Sequence, residues 1–154
     1  MKVGSDFEGL YRREQAIVFR SVLALCGDRA VAEDATQEAF ARALERWRRL
    51  GDRPWVAGWI AVTAMNAARR AMRRRGRTAP PEAPAGDPDL ALDLWRALRL
   101  LPPRQQEATV LRYVVDLPIG EVAAAMGCSE GTAKAHLARA RSSLRRQLEG
   151  VRDE

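Results

Sequence analysis

Apolar side chains recur every three to four positions along most of the chain. Phe7, Leu10, Tyr11, Ile17, Val18, Val22 and Leu25 share one face, which is the spacing of a helix with one buried side. Ser5 followed by Glu8 predicts a capping box at its start, and Gly27 predicts its end. Asp28 predicts the cap of a second helix running to about Arg49, with Val31, Ala35, Phe40, Leu44 and Trp47 inward. Leu50 to Arg53 interrupts the pattern as a loop, after which Pro54 opens a third helix carrying Trp55, Trp59, Val62 and Met65.

Between residues 77 and 89 the periodicity disappears. Four of the chain's eight prolines stand there without one large apolar side chain. Proline lacks a backbone donor and fixes φ, so this stretch reads as an extended, semi-rigid linker. It divides the chain into a block at 1–76 and another at 90–154. In the second block Leu90, Leu94, Leu98 and Leu101 mark a helix that Pro102 and Pro103 end. Another helix follows from about Arg104 to Val115, then a short one from about Pro118 to Met126. A turn at Gly127 leads into a long helix from about Glu130 to Leu148, with Ala133, Leu137, Ala140, Leu144 and Leu148 on one stripe. Alternating β-branched runs are scarce, so the expected fold is all-α: two small domains, a helical bundle and a helix-turn-helix unit, joined by the Pro-rich linker.

Composition supports helices and adds a partner. Hydrophobic residues make up 47% of the 154 positions and aromatics 6%, enough for packed helical cores. The formal net charge is +6 and the only lysines are Lys2 and Lys134, so the positive charge is almost wholly arginine. Its planar fork suits phosphates and guanine edges, which points to nucleic acid. Cys26 and Cys128 belong to no CxxC pair, no histidine cluster accompanies them, and no leader or apolar span is visible. A reduced, cytoplasmic protein is expected, without metal, cofactor or membrane insertion.

Two helices joined by a four-residue turn form the helix-turn-helix pattern. Ala123 and Gly127 stand four apart. There a small residue permits close crossing, and glycine supplies the left-handed turn. An ordinary αα-hairpin shares this spacing, but the second helix here would present Glu130, Thr132, Lys134, Ala135, His136, Ala138, Arg139 and Arg141 outward. That basic face suits a major groove. His136, the only histidine, has no partner ligands for zinc around it.

With these pieces in order, the chain resembles the bacterial RNA polymerase sigma factors of the extracytoplasmic-function group, along nearly its whole length. Ala32 to Phe40 resembles the family's region 2, Trp59 to Asn66 its promoter-melting helix, Leu101 to Gln106 the entry to region 4, and Gly127 to Arg141 its recognition helix. The chain departs from the family pattern at Met65, Arg70, Pro118, Gly120, Ala135, His136 and Ala138.

The resemblance implies roles that spacing alone does not. Glu33, Asp34, Gln37 and Glu38, which by spacing could be a solvated acidic face or a metal site, would dock on the clamp helices of the polymerase's largest subunit. Asn66 would help catch a base flipped from the minus-ten element, with the loop Leu50 to Trp55 shaping its pocket. Arg69, Arg70 and Arg73, with Arg74, Arg75 and Arg77, would track phosphates. Arg112, Thr132, Lys134, His136, Arg139 and Arg141 would face the minus-thirty-five element. The linker would lie in the RNA exit path, and region 4 would touch the polymerase flap.

The expected partners are core RNA polymerase, promoter DNA and, as for many members of the group, an anti-sigma factor; no small-molecule substrate is expected. A free-standing helix-turn-helix regulator is the alternative, against which the acidic and asparagine motifs speak. An enzyme acting on nucleic acid would need a carboxylate cluster with a histidine, a phosphate-gripping glycine loop or a placed nucleophile, and none appears in the sequence.

Overall fold

The computed structural model describes residues 2–51, 53–75 and 88–152. The all-helical expectation holds: those residues form eight α-helices and no strand. Helix α1 spans Lys2–Cys26, α2 Arg29–Glu45, α3 Trp47–Leu50 and α4 Val56–Arg75. In the second half α5 spans Pro88–Arg99, α6 Pro103–Thr109, α7 Ile119–Met126 and α8 Glu130–Arg152.

Local chemistry sets most of these boundaries. Asp28 Oδ1 accepts from the Val31 amide at 3.1 Å and caps α2 as expected. Ser5 is not an N-cap, because α1 already starts at Lys2. No residue before Ser5 forbids helical backbone, and Gly4 costs only about 1 kcal/mol. The second helix is not continuous to Arg49. It breaks at Arg46 (φ −101°, ψ 11°), and the break resets the helical phase. Trp47, beyond the break, is buried. Leu44 lies before it and is 52% exposed because the buried arc of α2 runs from Val31 through Ala35, Ala39 and Ala43 to Phe40 and ends short of Leu44, which corrects its inward placement. Helix α4 begins at Val56, two residues after Pro54, because residues 53–55 close a turn through the Val56 amide and the Arg53 carbonyl.

Helix α5 starts at Pro88 and so takes in the end of the stretch read as linker. Residues 77–87 of that stretch, with Arg77, lie outside the described residues. Leu94 is 39% exposed rather than inward, because α5 meets α8 through Leu98 and Trp95 instead. The helix expected from Arg104 to Val115 is α only as far as Thr109 and then widens into a π turn over Val110–Val114. The Val115 amide reaches back five residues to Val110, and Asp116 follows with a positive φ of 64°. Helix α7 starts directly after Pro118. Gly127 then adopts the left-handed conformation (φ 67°, ψ 36°) and reverses the chain toward α8. Ser129 Oγ accepts from the Thr132 amide at 3.1 Å and caps α8.

Helices α1, α2 and α4 pack together around Val18, Val22, Phe40, Ile60 and Met65. Phe7, Tyr11, Phe40 and Trp47 brace one end of this bundle edge to face, with centroids 4.9 to 6.4 Å apart. Helix α8 lies across α5, α6 and α7. The two halves share one core, since Leu111, Leu117, Val122, Ala125 and Leu137 join the cluster built on α1 and α4. Contact is made where α4 meets α7 and where α1 meets α5 and the π turn.

Candidate nucleic-acid interface

Helix α8 buries Ala133 and Leu137 against α6 and α7, and Ala140 against Leu98 and Leu101 at the end of α5, and turns its other side out. Thr132, His136 and Arg139 follow one another at i, i+4 and i+7, and so form one line along the helix. Lys134 and Arg141 stand two turns apart on the opposite flank. Between the flanks run Gly131, Ala135, Ala138 and Ser142. All of these line residues are exposed except Ala135 and His136, which are half-buried. A helix with a slim centre and basic flanks can enter a major groove deeply and meet phosphates on both walls. Arg112 sits half-buried on the π turn and donates to the Leu117 carbonyl at 3.1 Å, so its fork is partly committed within the protein.

The structure brings Asn66 and Arg69 together. Arg69 donates to Asn66 Oδ1 at 3.0 Å, and its remaining bonds cross to the second half of the chain. They reach Glu107 Oε1 at 2.9 Å, Gln106 Oε1 at 3.1 Å and the Pro103 carbonyl at 3.2 Å. Glu107 is almost wholly buried, and its other oxygen accepts from Arg104 at 2.8 Å. A carboxylate so enclosed is tolerable because both oxygens face guanidinium groups. Arg70 lies 3.9 Å from Glu38 with both side chains well exposed, while Arg73 and Arg74 point into solvent. Arg75 stands 3.6 Å from Asp28.

Glu33, Asp34, Gln37 and Glu38 are all exposed along α2. Gln37 donates to the Tyr11 hydroxyl at 3.3 Å, and Glu38 accepts from Arg42 at 2.7 Å. No cluster of His, Cys, Asp and Glu able to hold a metal occurs among the described residues. From the loop between Leu50 and Trp55, Gly51, Arg53 and Pro54 border a cavity of about 420 Å³ together with Asp6, Arg13 and Glu14. Asn66 does not line it.

Four residues at the junction of the halves escaped the pattern reading: Gly58, Arg99, Gln106 and Glu107. Gly58 packs so tightly that a Cβ there would stand 2.6 Å from Leu117 Cδ1 and 2.9 Å from Ala125 Cβ. Arg99 donates through Nε to the Ala24 carbonyl at 2.9 Å, and burial lowers its pKa. Beside it, burial raises the pKa of the Cys26 thiol. Both residues line a cavity of about 440 Å³ between the halves, with Leu25, Met65, Met72 and Arg69 among its walls. Helical periodicity marks Gly58 only as a weak helix former; nothing in it reports which distant element approaches.

Known proteins share this layout. The model of sigma-70 region 2 matches residues 10–78, and that of sigma-70 region 4 matches residues 91–144. The RNA polymerase sigma-E factor of Streptomyces coelicolor is 33% identical over 93% of this chain and 86% of its own length. The ECF RNA polymerase sigma factor SigC of Mycobacterium tuberculosis is 30% identical over 92% of this chain and 82% of its own. Among solved structures, the sigma factor RpoE of Bartonella quintana, in complex with the anti-sigma factor NepR, superposes with a TM-score of 0.73. That match is 25% identical and covers 94% of this chain and 97% of the other.

Proposed function

The chain belongs to the extracytoplasmic-function group of the sigma-70 family, and from that premise we propose how its residues divide the work of starting transcription. It is an alternative sigma factor: it binds core RNA polymerase, directs it to promoters and promotes melting of the DNA. The observation that carries this is the presence of both regions, in family order, on one chain. A free-standing regulator has no use for region 2.

In our reading residues 1–76 dock on polymerase and act at the minus-ten element, and residues 90–154 read the minus-thirty-five element. Glu33, Asp34, Gln37 and Glu38 meet basic and polar groups on the polymerase clamp, a role their exposure on one helix supports. Asn66 takes a flipped base while Arg69, Arg70 and Arg73 hold the neighbouring phosphates. Extruding a base costs a few kcal/mol of stacking, so trapping it shifts the duplex toward the open form without covalent chemistry. The protein is then a binding factor and not an enzyme. On α8, Thr132, Lys134, His136, Arg139 and Arg141, assisted by Arg112, engage the upstream element.

No helix among the described residues is long and apolar enough to cross a membrane. A factor that works only on polymerase acts in the cytoplasm. Because RpoE of Bartonella quintana was solved with an anti-sigma factor, we assign this chain a partner of the same kind. Run-off transcription of genomic DNA with core polymerase, with and without the protein, tests the reading. New start sites sharing minus-ten and minus-thirty-five sequences are expected, and their absence with active polymerase overturns it.

A further inference from the structure

Protein interiors leave few voids larger than a water molecule, yet a cavity of about 440 Å³ lies where α1 and α4 face Arg99, Pro103 and Gln106. Sites for small organic ligands typically span about 300 to 1,000 Å³ and combine apolar walls with a few polar groups. Val22, Leu25, Met65, Ala68 and Met72 supply the apolar walls here. Water has little to gain beside them, because such side chains offer it no hydrogen bond.

The polar groups in the wall differ in what they have left to offer. Arg69 donates to Gln106 Oε1 at 3.1 Å, and Gln106 Nε2 donates to the Leu98 and Arg99 carbonyls, both at 3.0 Å. Both side chains are therefore engaged. Arg99 is not fully so: its Nε donates to the Ala24 carbonyl at 2.9 Å, but its Nη2 is shut off from solvent and meets no acceptor among the described residues. Buried donors are nearly always paired, so an orphan on a guanidinium that lines a cavity calls for an acceptor.

Charge points the same way. No Asp or Glu is among the residues lining the cavity, and exposed Arg73 adds a second cation to it. Cys26, the one acid in the wall, supplies no anion, since burial raises its pKa and keeps the thiol protonated at neutral pH. Burial lowers the pKa of Arg99, but a guanidinium stays charged at neutral pH all the same. Arg99 is thus a half-buried cation to which the cavity residues offer no counter-charge. An inorganic anion would meet that cation and leave the apolar walls unused; a hydrocarbon would do the reverse.

We propose that this cavity is a binding site for a small amphipathic organic anion, a monocarboxylate whose head meets the Arg99 guanidinium and whose apolar tail lies against Leu25, Met65 and Met72. The site is separate from the acidic face of α2 and from the outward face of α8. It therefore adds a ligand to the polymerase and DNA partners and does not rename one of them.

Octanoate is the probe, with 1-octanol as the same tail without charge and inorganic phosphate as charge without a tail. The full chain is labelled with carbon-13 in its methionine methyl groups. Octanoate should shift the Met65 and Met72 signals saturably and leave that of Met126, buried on α7 outside the cavity, in place. Octanol should bind at least about 10-fold more weakly, because it lacks the charge-assisted bond, and phosphate should shift neither signal. Arg99→Met keeps an apolar stem and removes the charge, so it should weaken octanoate binding about 10-fold and leave octanol unaffected. Leu25→Trp, which fills the cavity, should abolish binding of both. Circular dichroism and an unmoved Met126 signal check the fold of each variant.

No saturable shift at Met65 and Met72, or an equal one at Met126, overturns the site. Octanol binding as tightly as octanoate to the wild-type chain overturns the anionic head, whether or not Arg99→Met folds. Phosphate binding as well as octanoate overturns the apolar tail, and undiminished octanoate binding to folded Leu25→Trp overturns the location.

Discussion

Nη1 of Arg141 stands 3.5 Å from the hydroxyl of Tyr113, so the end of the π turn reaches across to α8. Tyr113 is 55% exposed on the side of α8 that carries Lys134 and Arg141. One flank of α8 is thus steadied by a neighbouring element, while the flank of Thr132, His136 and Arg139, to which we assign contact with the groove, has no such brace. The flanks should respond differently to substitution.

Arg139→Ala should cost about 1 to 3 kcal/mol of promoter binding if the side chain reads a base edge, and should relax preference at one position of the minus-thirty-five element. Binding of a set of single-base promoter variants by the holoenzyme measures both. A loss equal across all variants would instead identify a phosphate contact.

Charge reversal at Asp34 and Glu38 should weaken binding to core polymerase, because both would then repel the basic patch they are assigned to face. Glu38 also gives up its pair with Arg42, which at i,i+4 on an exposed helix is worth only about 0.2 to 0.5 kcal/mol. Helicity should therefore survive. Undiminished holoenzyme formation by the folded double variant removes the docking role from this surface.

Asn66→Ala should spare folding and polymerase binding, since alanine is the better helix former, but fail to retain a flipped base. Permanganate reactivity of unpaired thymines on a linear promoter should fall, and a template already mismatched across the minus-ten region should largely restore transcription. Opening of the duplex at the wild-type level, or no rescue by the mismatched template, contradicts the role given to Asn66.

Cys26 offers a chemical report on the junction. Burial raises its thiol pKa, which lowers the thiolate fraction near neutral pH, and the thiolate is the reacting species. Alkylation of Cys26 by iodoacetamide at pH 7.5 should be slower than that of a free thiol. It should accelerate in Gly58→Ala, where parting the halves restores solvent to the cavity wall. Peptide mass spectrometry over time distinguishes Cys26 from Cys128, and equal rates in the two proteins would place the thiol outside the junction.

Residues that cap and turn the chain were legible because they act on their own neighbours. Asp28, Gly127 and the apolar stripe of α8 fix their elements through contacts within a few positions, and the structure follows them. Leu44 was misjudged because it borders the buried arc of α2 and an i,i+4 step from Phe40 does not tell the edge of a stripe from its centre, and the π turn went unseen because one extra residue barely alters an apolar pattern. The bonds from Arg69 to Glu107 and from Arg99 to Ala24 join residues far apart in sequence. Such pairings depend on how whole helices meet, which periodicity does not encode. The outward placement of Thr132, Lys134, Arg139 and Arg141 was legible, while the commitment of Asn66 and Arg69 to a region 4 partner was not.

The end of α4 holds its positive charge solely as arginine, at Arg69, Arg70, Arg73, Arg74 and Arg75. A guanidinium group stays protonated throughout the physiological pH range. Ionic strength then governs the hold on nucleic acid proposed for this edge. Each phosphate neutralised on a single strand expels condensed counterions and steepens the salt dependence by about 0.7 in log–log slope. Each of these arginines that meets a phosphate in the role proposed for it adds one such contact, so a change in the salt of the surrounding medium acts as a dial on how firmly the melted strand is held.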